Sequence, residues 1–212
     1  MAAPGEKSRR TQAERRDRVL HSAEALFLTR GFHECSMAAI AEHSGVHVAQ
    51  IYRDFASKEG LVEASVRTGL GTVIASVGEA VGAPDIRSSL HHWLRTTIDS
   101  APRPGPWQLI SEISAEAMRN PAIARILRQE EQSARLALTD LLAERLGSSH
   151  SLPRLRAIAE FLLTLNLGIF VRNTLVPATD PEGLADVAEE ALMAILHPST
   201  PPPPGPPGSC PT

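Results

Sequence analysis

Between residues 10 and 197 apolar side chains return every three or four positions, and no stretch sustains the alternation that a half-buried strand needs. The pattern predicts an all-α protein. From Thr11 to Arg30, Val19, Leu20, Ala23, Leu26 and Phe27 share one face, and Gly31 follows as a C-cap, so a first helix ends near Arg30. Ser36 is an N-cap residue type ahead of a short helix, Met37 to His43, which Ser44-Gly45-Val46 terminates. Another short helix is expected from His47 to Asp54. Ser57 followed by Gly60, rather than Glu, is half a capping box, and Lys58-Glu59 opens a long helix reaching about Val81. Pro84-Asp85 restarts the chain, with Ile86, Leu90, Trp93, Leu94, Thr97 and Ile98 on one side of the next helix. Pro102, Pro104, Gly105 and Pro106 force a connection. Helices then read from Pro106 to Arg119, Pro121 to Leu146, Leu152 to Leu175 and Pro181 to Leu196, about nine in all.

The two short helices between Ser36 and Phe55 bury too little alone, so they must cross tightly and share a core with their neighbours. Ala41 lets them approach, Gly45 supplies a left-handed turn, Val46 plugs the angle, and Ile40 meets Ile51. This is a helix-turn-helix pattern. It leaves Val48, Ala49, Gln50 and Arg53 on the outer face of the second helix, with Tyr52 near its end, and a DNA major groove admits one such helix. Charge agrees in placement: residues 1–18 carry six Lys or Arg against three Asp or Glu, although the whole chain has a formal charge of −3. A basic front on an acidic body suits an anionic partner, and a solvated helix face has the same composition.

The string Leu26-Phe27, Gly31-Phe32, Ser36-Met37, Ile40-Ala41, Ser44-Gly45-Val46, Ile51-Tyr52-Arg53-Asp54-Phe55 and Ser57-Lys58-Glu59-Gly60-Leu61 resembles the N-terminal domain of the TetR family of ligand-responsive transcriptional regulators. The resemblance spans residues 10 to about 62. It implies a sequence-specific DNA-binding regulator, most simply a dimeric repressor released from a near-palindromic operator by an effector. It also implies phosphate contacts from Ser36, Tyr52 and Lys58, with Arg53 a further candidate. Base reading falls to positions 47–50, where this chain departs from the usual pattern. His47 replaces a small polar residue, and stands open between a phosphate contact and simple exposure. Val48 and Ala49 suit thymine methyl groups, and Gln50 can read adenine. Lys7, Arg9 and Arg10 either reach phosphates or a minor groove, or are solvated.

The expected layout is a basic flexible arm at 1–9, the helix-turn-helix domain at 10–56, a helical effector-binding and dimerisation domain at 57–197, and a Pro-rich disordered tail at 198–212. The stretch from Ile158 to Val171 is apolar nearly all round, so it needs partners on two sides. One is its own core. The other, with a stripe on the last helix, is expected to meet a second copy through Phe161, Leu165, Ile169, Leu184, Val187, Ala188, Ala191, Leu192 and Ile195, the two-fold arrangement that the resemblance also implies. Ligand-lining candidates are Trp93, Trp107, Glu112, Glu116, Phe161, Asn166 and Phe170, each of which also suits an ordinary core or helix face.

Hydrophobic residues at 42% and charged residues at 21% exclude disorder over most of the length. Cys35 and Cys210 cannot build a disulfide framework or a four-ligand zinc site, which points to a reducing, cytoplasmic setting, and no signal peptide or membrane span is expected. Cys35 is expected to pack in its loop rather than to sense redox state. His91 and His92, adjacent on a helix, point apart, so no metal is expected, nor any cofactor. The rival readings are an all-helical enzyme and a dimeric protein-interaction module. Gly69-Leu70-Gly71 lacks the strand and third Gly of a dinucleotide loop, and neither a zinc-protease motif, a nucleophile elbow nor a P-loop is present.

Overall fold

The computed structural model describes the backbone of residues 4–100, 106–147 and 150–197, with side chains from residue 11 onward except in 106–108. Among these residues there are nine helices and no strand: α1 (Pro4–Glu34), α2 (Met37–Ser44), α3 (Val48–Phe55), α4 (Lys58–Gly82), α5 (Ile86–Ser100), α6 (Pro106–Ala117), α7 (Pro121–Leu146), α8 (Leu152–Leu175) and α9 (Pro181–Leu196). The Pro-rich tail lies outside the described residues.

Helix α1 begins earlier than the sequence reading has it, and its regular part ends at Gly31 as expected. Its backbone is helical from Pro4, inside the stretch expected to be a flexible arm, because nothing between Glu6 and Arg30 breaks a helix and Pro is tolerated in a first turn. At the other end Gly31 does break the ladder, with φ 77° and ψ 164°, but the chain resumes helical geometry for one more turn to Glu34. Only glycine adopts that conformation without strain.

Two apolar cores share the long helices. The first joins Phe27 of α1, Ile40 of α2, and Ile51 and Phe55 of α3 to Leu61, Val62, Val66 and Leu70 of α4, and to Leu109, Ile110 and Ile113 of α6. The second takes Val73, Val77, Ala80 and Val81 from α4 and packs them on α5, α7, α8 and α9. Packing therefore does not divide at residue 56, and α4 is a rod common to both cores. Gly78 lies close against α7, where a Cβ would stand 2.6 Å from Leu141 Cδ1.

The α3–α4 junction is unusually tight. Ser57 N donates to Phe55 O at 2.7 Å around Ala56, whose φ of 61° and ψ of −42° describe a γ-turn of the strained hand. Ser57 Oγ then accepts from Gly60 N at 3.1 Å, so the half capping box is a working N-cap. The missing Glu at position 60 has a steric cause: any Cβ there would overlap the Phe55 carbonyl oxygen.

Candidate nucleic-acid interface

Ser36 Oγ accepts from Ala39 N at 3.1 Å and starts α2, which leaves its hydroxyl proton free to donate outward. Gly45, at φ 67° and ψ 21°, turns the chain left-handed into α3, and Val46 is buried in the angle. Ile51 and Phe55 anchor the inner side of α3. On its outer side Val48 and Tyr52 are 37% and 49% exposed, a large apolar and aromatic display for so short a helix. His47, Ala49 and Arg53 are exposed beside them, and Gln50 is half-buried.

A paired charge fixes this helix to α1. Arg15 approaches Asp54 with two donors, Nε to Oδ2 at 2.9 Å and Nη2 to Oδ1 at 3.3 Å, while the Asp54 side chain is 3% exposed. Arg16 donates to the Asp54 carbonyl and lies over the Phe55 ring at 4.4 Å. The Arg15 hydrogen bonds hold the Asp54 carboxyl below the ordinary carboxylate range, against the opposing effect of burial. A depressed folded value stabilises the protein fully above the unfolded value, about pH 4, and that contribution is lost as pH falls through the folded value. Asp54→Asn is therefore expected to show a shallower loss of denaturation midpoint between pH 6 and pH 3 than the parent. Equal slopes would remove Asp54 from the acid response.

Several cations that the sequence offers to DNA are committed internally. Lys58, expected at a phosphate, has internal partners: its Nζ donates to Phe32 O at 2.6 Å and Cys35 O at 3.0 Å and sits 4.1 Å above the Phe32 ring. The bend at Gly31 aims those carbonyls at the start of α4, and two of the three ammonium protons are used there. Arg53 donates to Gln50 Oε1, so the reading face of Gln50 is partly engaged. The sequence reading missed Arg18, which with Arg15, His47, Gln50 and Arg53 lines a concavity of about 470 Å³ beside α3. The signal was the Arg15-Arg16-Asp17-Arg18 run, one turn of helix with cations facing different ways.

The ligand-lining candidates do not converge. Trp93 is in the second core with its indole nitrogen on Ser76 Oγ at 3.2 Å, and Phe170 is fully enclosed. Phe161 is 39% exposed on the outside of α8. Glu116 is buried as a latch between α1 and α6, 3.0 Å from His33 Nε2 and from the donating Asn120 Nδ2 and 2.8 Å from Arg119 Nε, rather than on a solvated face. Glu112 borders a crevice with it. Asn166 lines a different, inner space with Glu131, which the sequence reading missed. The Trp107 side chain lies outside the described residues. Of the dimer candidates, Phe161, Leu184, Val187 and Ala191 are exposed and Leu165, Ala188 and Ile195 half-buried. Ile169 and Leu192 are a correction: they turn into the second core of their own chain, Leu192 with no exposure at all.

The model "Bacterial regulatory proteins, tetR family" matches residues 19–65, and "BetI-type transcriptional repressor, C-terminal" matches 84–197. The chain belongs to the TetR family. A TetR-family relative, the HTH-type transcriptional regulator UidR of Escherichia coli K12, is 29% identical over 180 residues, 84% of this chain and 87% of that protein. YfiR of Bacillus subtilis, an uncharacterised HTH-type regulator, is 25% identical over 192 residues, 86% and 92% of the two chains. Among solved structures, Salmonella enterica GusR superposes with a TM-score of 0.64 at 23% identity, covering 86% of this chain and 95% of its own. A TetR-family regulator from Rhodococcus sp. reaches 0.68 at 20% identity, covering 87% and 99%. Membership makes this protein a DNA-binding transcriptional regulator and not an enzyme. No helix among the described residues is long and apolar enough to cross a membrane.

Proposed function

We propose that this TetR-family regulator is a cytoplasmic homodimeric repressor that holds a near-palindromic operator with two copies of α3 and releases it when a small molecule occupies the helical body. The observation that carries the DNA-reading part is α3 itself: its inner residues are buried while Val48, Ala49, Tyr52 and Arg53 face out beside a basic concavity. Ser36, Tyr52 and Arg53 contact phosphates, with Lys58 limited to its one remaining donor. Val48 and Ala49 meet thymine methyl groups, Gln50 reads adenine once Arg53 releases it, and His47 borders the same groove. The outward faces of α8 and α9 form the two-fold contact. Release follows from α4, which shares both cores, because a ligand that shifts its C-terminal half moves its first turn and α3 together. A coupling of about 1–3 kcal/mol is enough to change operator occupancy strongly.

The test is fluorescence anisotropy against duplexes tiling the DNA around the protein's own gene, at several salt concentrations and with competitor DNA. Gln50→Ala is expected to weaken the preferred duplex by about 1–3 kcal/mol and to blunt its preference over single-base variants. Tyr52→Phe, which removes only the hydroxyl, is expected to weaken all duplexes alike. Weak, sequence-independent binding across every tile and across random-sequence selection would overturn the operator reading.

A further inference from the structure

Between α7 and α8 the surface opens into a groove of about 580 Å³, with Leu163 and Leu167 on one wall and Arg128, Arg135 and Glu160 at its rim. Behind it lies a narrow inner chamber of about 20 Å³, walled on the far side by Leu70 and Val73 of α4. Glu131, Leu163 and Leu167 line both spaces, so these three side chains alone stand at the passage between them.

Two polar groups that line the chamber have no protein partner among the described residues. Asn166 is 3% exposed and makes no hydrogen bond among the described residues. Glu131 has no hydrogen bond or ion pair there either, and burial alone pushes its carboxyl up. Arg128 and Arg135, one turn away on the same helix, line only the groove and do not pair with it. Leaving a buried amide without a partner costs about 1–3 kcal/mol, while the half-buried Glu131 carboxyl is partly desolvated where groove and chamber meet. A ligand that supplies N–H donors pairs with the Asn166 Oδ1 and the Glu131 carboxylate, and the leucines accept an apolar body.

We propose that groove and chamber take an amphiphilic organic cation, a protonated amine on an apolar frame, with the ammonium between Glu131 and the Asn166 amide and the frame along Leu163 and Leu167. This rests on the effector-released reading above and names the effector's chemical class. The chamber is too small for such a group as it stands, so seating it displaces Leu70 and Val73 and pushes on α4, the rod that carries α3.

The experiment is an NMR or calorimetric titration of the DNA-free full-length protein with three matched probes: cyclohexylmethylamine, cyclohexylmethanol and cyclohexanecarboxylate. The amine is expected to bind at least tenfold tighter than either of the others, and the isosteric Glu131→Gln to erase that preference without changing the thermal midpoint by more than a few degrees. Tighter binding of the carboxylate to the rim arginines, equal binding of the alcohol, or a preference that survives Glu131→Gln would overturn the proposal. Operator release is read separately with each probe. Amine binding without release keeps this site and overturns the effector reading. Release by another compound, with no amine binding, does the reverse.

Discussion

Gly60→Ala is expected to destabilise the protein by about 3 kcal/mol, at the upper end of what overpacking costs, and to lower the thermal midpoint accordingly. The added methyl would overlap the Phe55 carbonyl oxygen, which is main chain and cannot rotate aside. The turn has no slack to absorb it, since Ala56 already occupies a strained γ-turn and Ser57 Oγ is tied to the residue-60 amide. Relief would have to come from α3 moving off Ile40 and Phe27, which opens the first core. Gly69, in the same helix, is the control. A Cβ there meets nothing within 4 Å, so Gly69→Ala is expected to stabilise by about 0.5–1 kcal/mol. Thermal and urea unfolding of the two variants decides it, and a Gly60→Ala protein as stable as the parent would mean that the turn has a different geometry.

The second large effect is on assembly. Phe161→Glu combined with Val187→Glu is expected to leave the single chain folded, because these side chains are 39% and 67% exposed and hold no core together. In a two-fold contact each substitution occurs twice, and four carboxylates brought into one apolar interface without partners are strongly unfavourable. Sedimentation should show a monomer, and operator binding should fall at least 100-fold, since one α3 then binds without its mate. A variant that stays dimeric would place the contact on another face. Leu192→Glu offers the contrast: it should unfold the chain rather than separate it.

Helix positions were legible because periodicity, Pro and Gly punctuate this chain plainly: α7, α8 and α9 fall where Pro121, Pro181 and the apolar stripes predict. The helix-turn-helix was legible for a different reason, that Gly45, Val46, Ile40 and Ile51 have local duties set by a short segment. What could not be read was the use of side chains across long separations. Nothing near Lys58 announces that its ammonium closes on carbonyls 23 and 26 residues earlier. The pairing of Arg15 with Asp54 spans 39 residues and looked like part of a free basic run. Glu116 sits four residues after Glu112 on an amphipathic helix, a spacing that suggests solvent, and only the packing of α1 on α6 buries it. The apolar run through α8 and the stripe on α9 have a period that does not say which side chain faces which neighbour, so Ile169 and Leu192, expected at the two-fold contact, turn into the core of their own chain.

Tyr52, half-exposed on α3, is the single tyrosine of the chain, and one of the two tryptophans, Trp93, is enclosed between α4 and α5. The molecule thus carries its own pair of spectroscopic reporters. Ring-labelled tyrosine gives one isolated signal at the nucleic-acid face, while an enclosed indole reports on the body that the effector would deform. Motion at the two ends of α4 can be timed in the same sample without attaching a foreign dye to either.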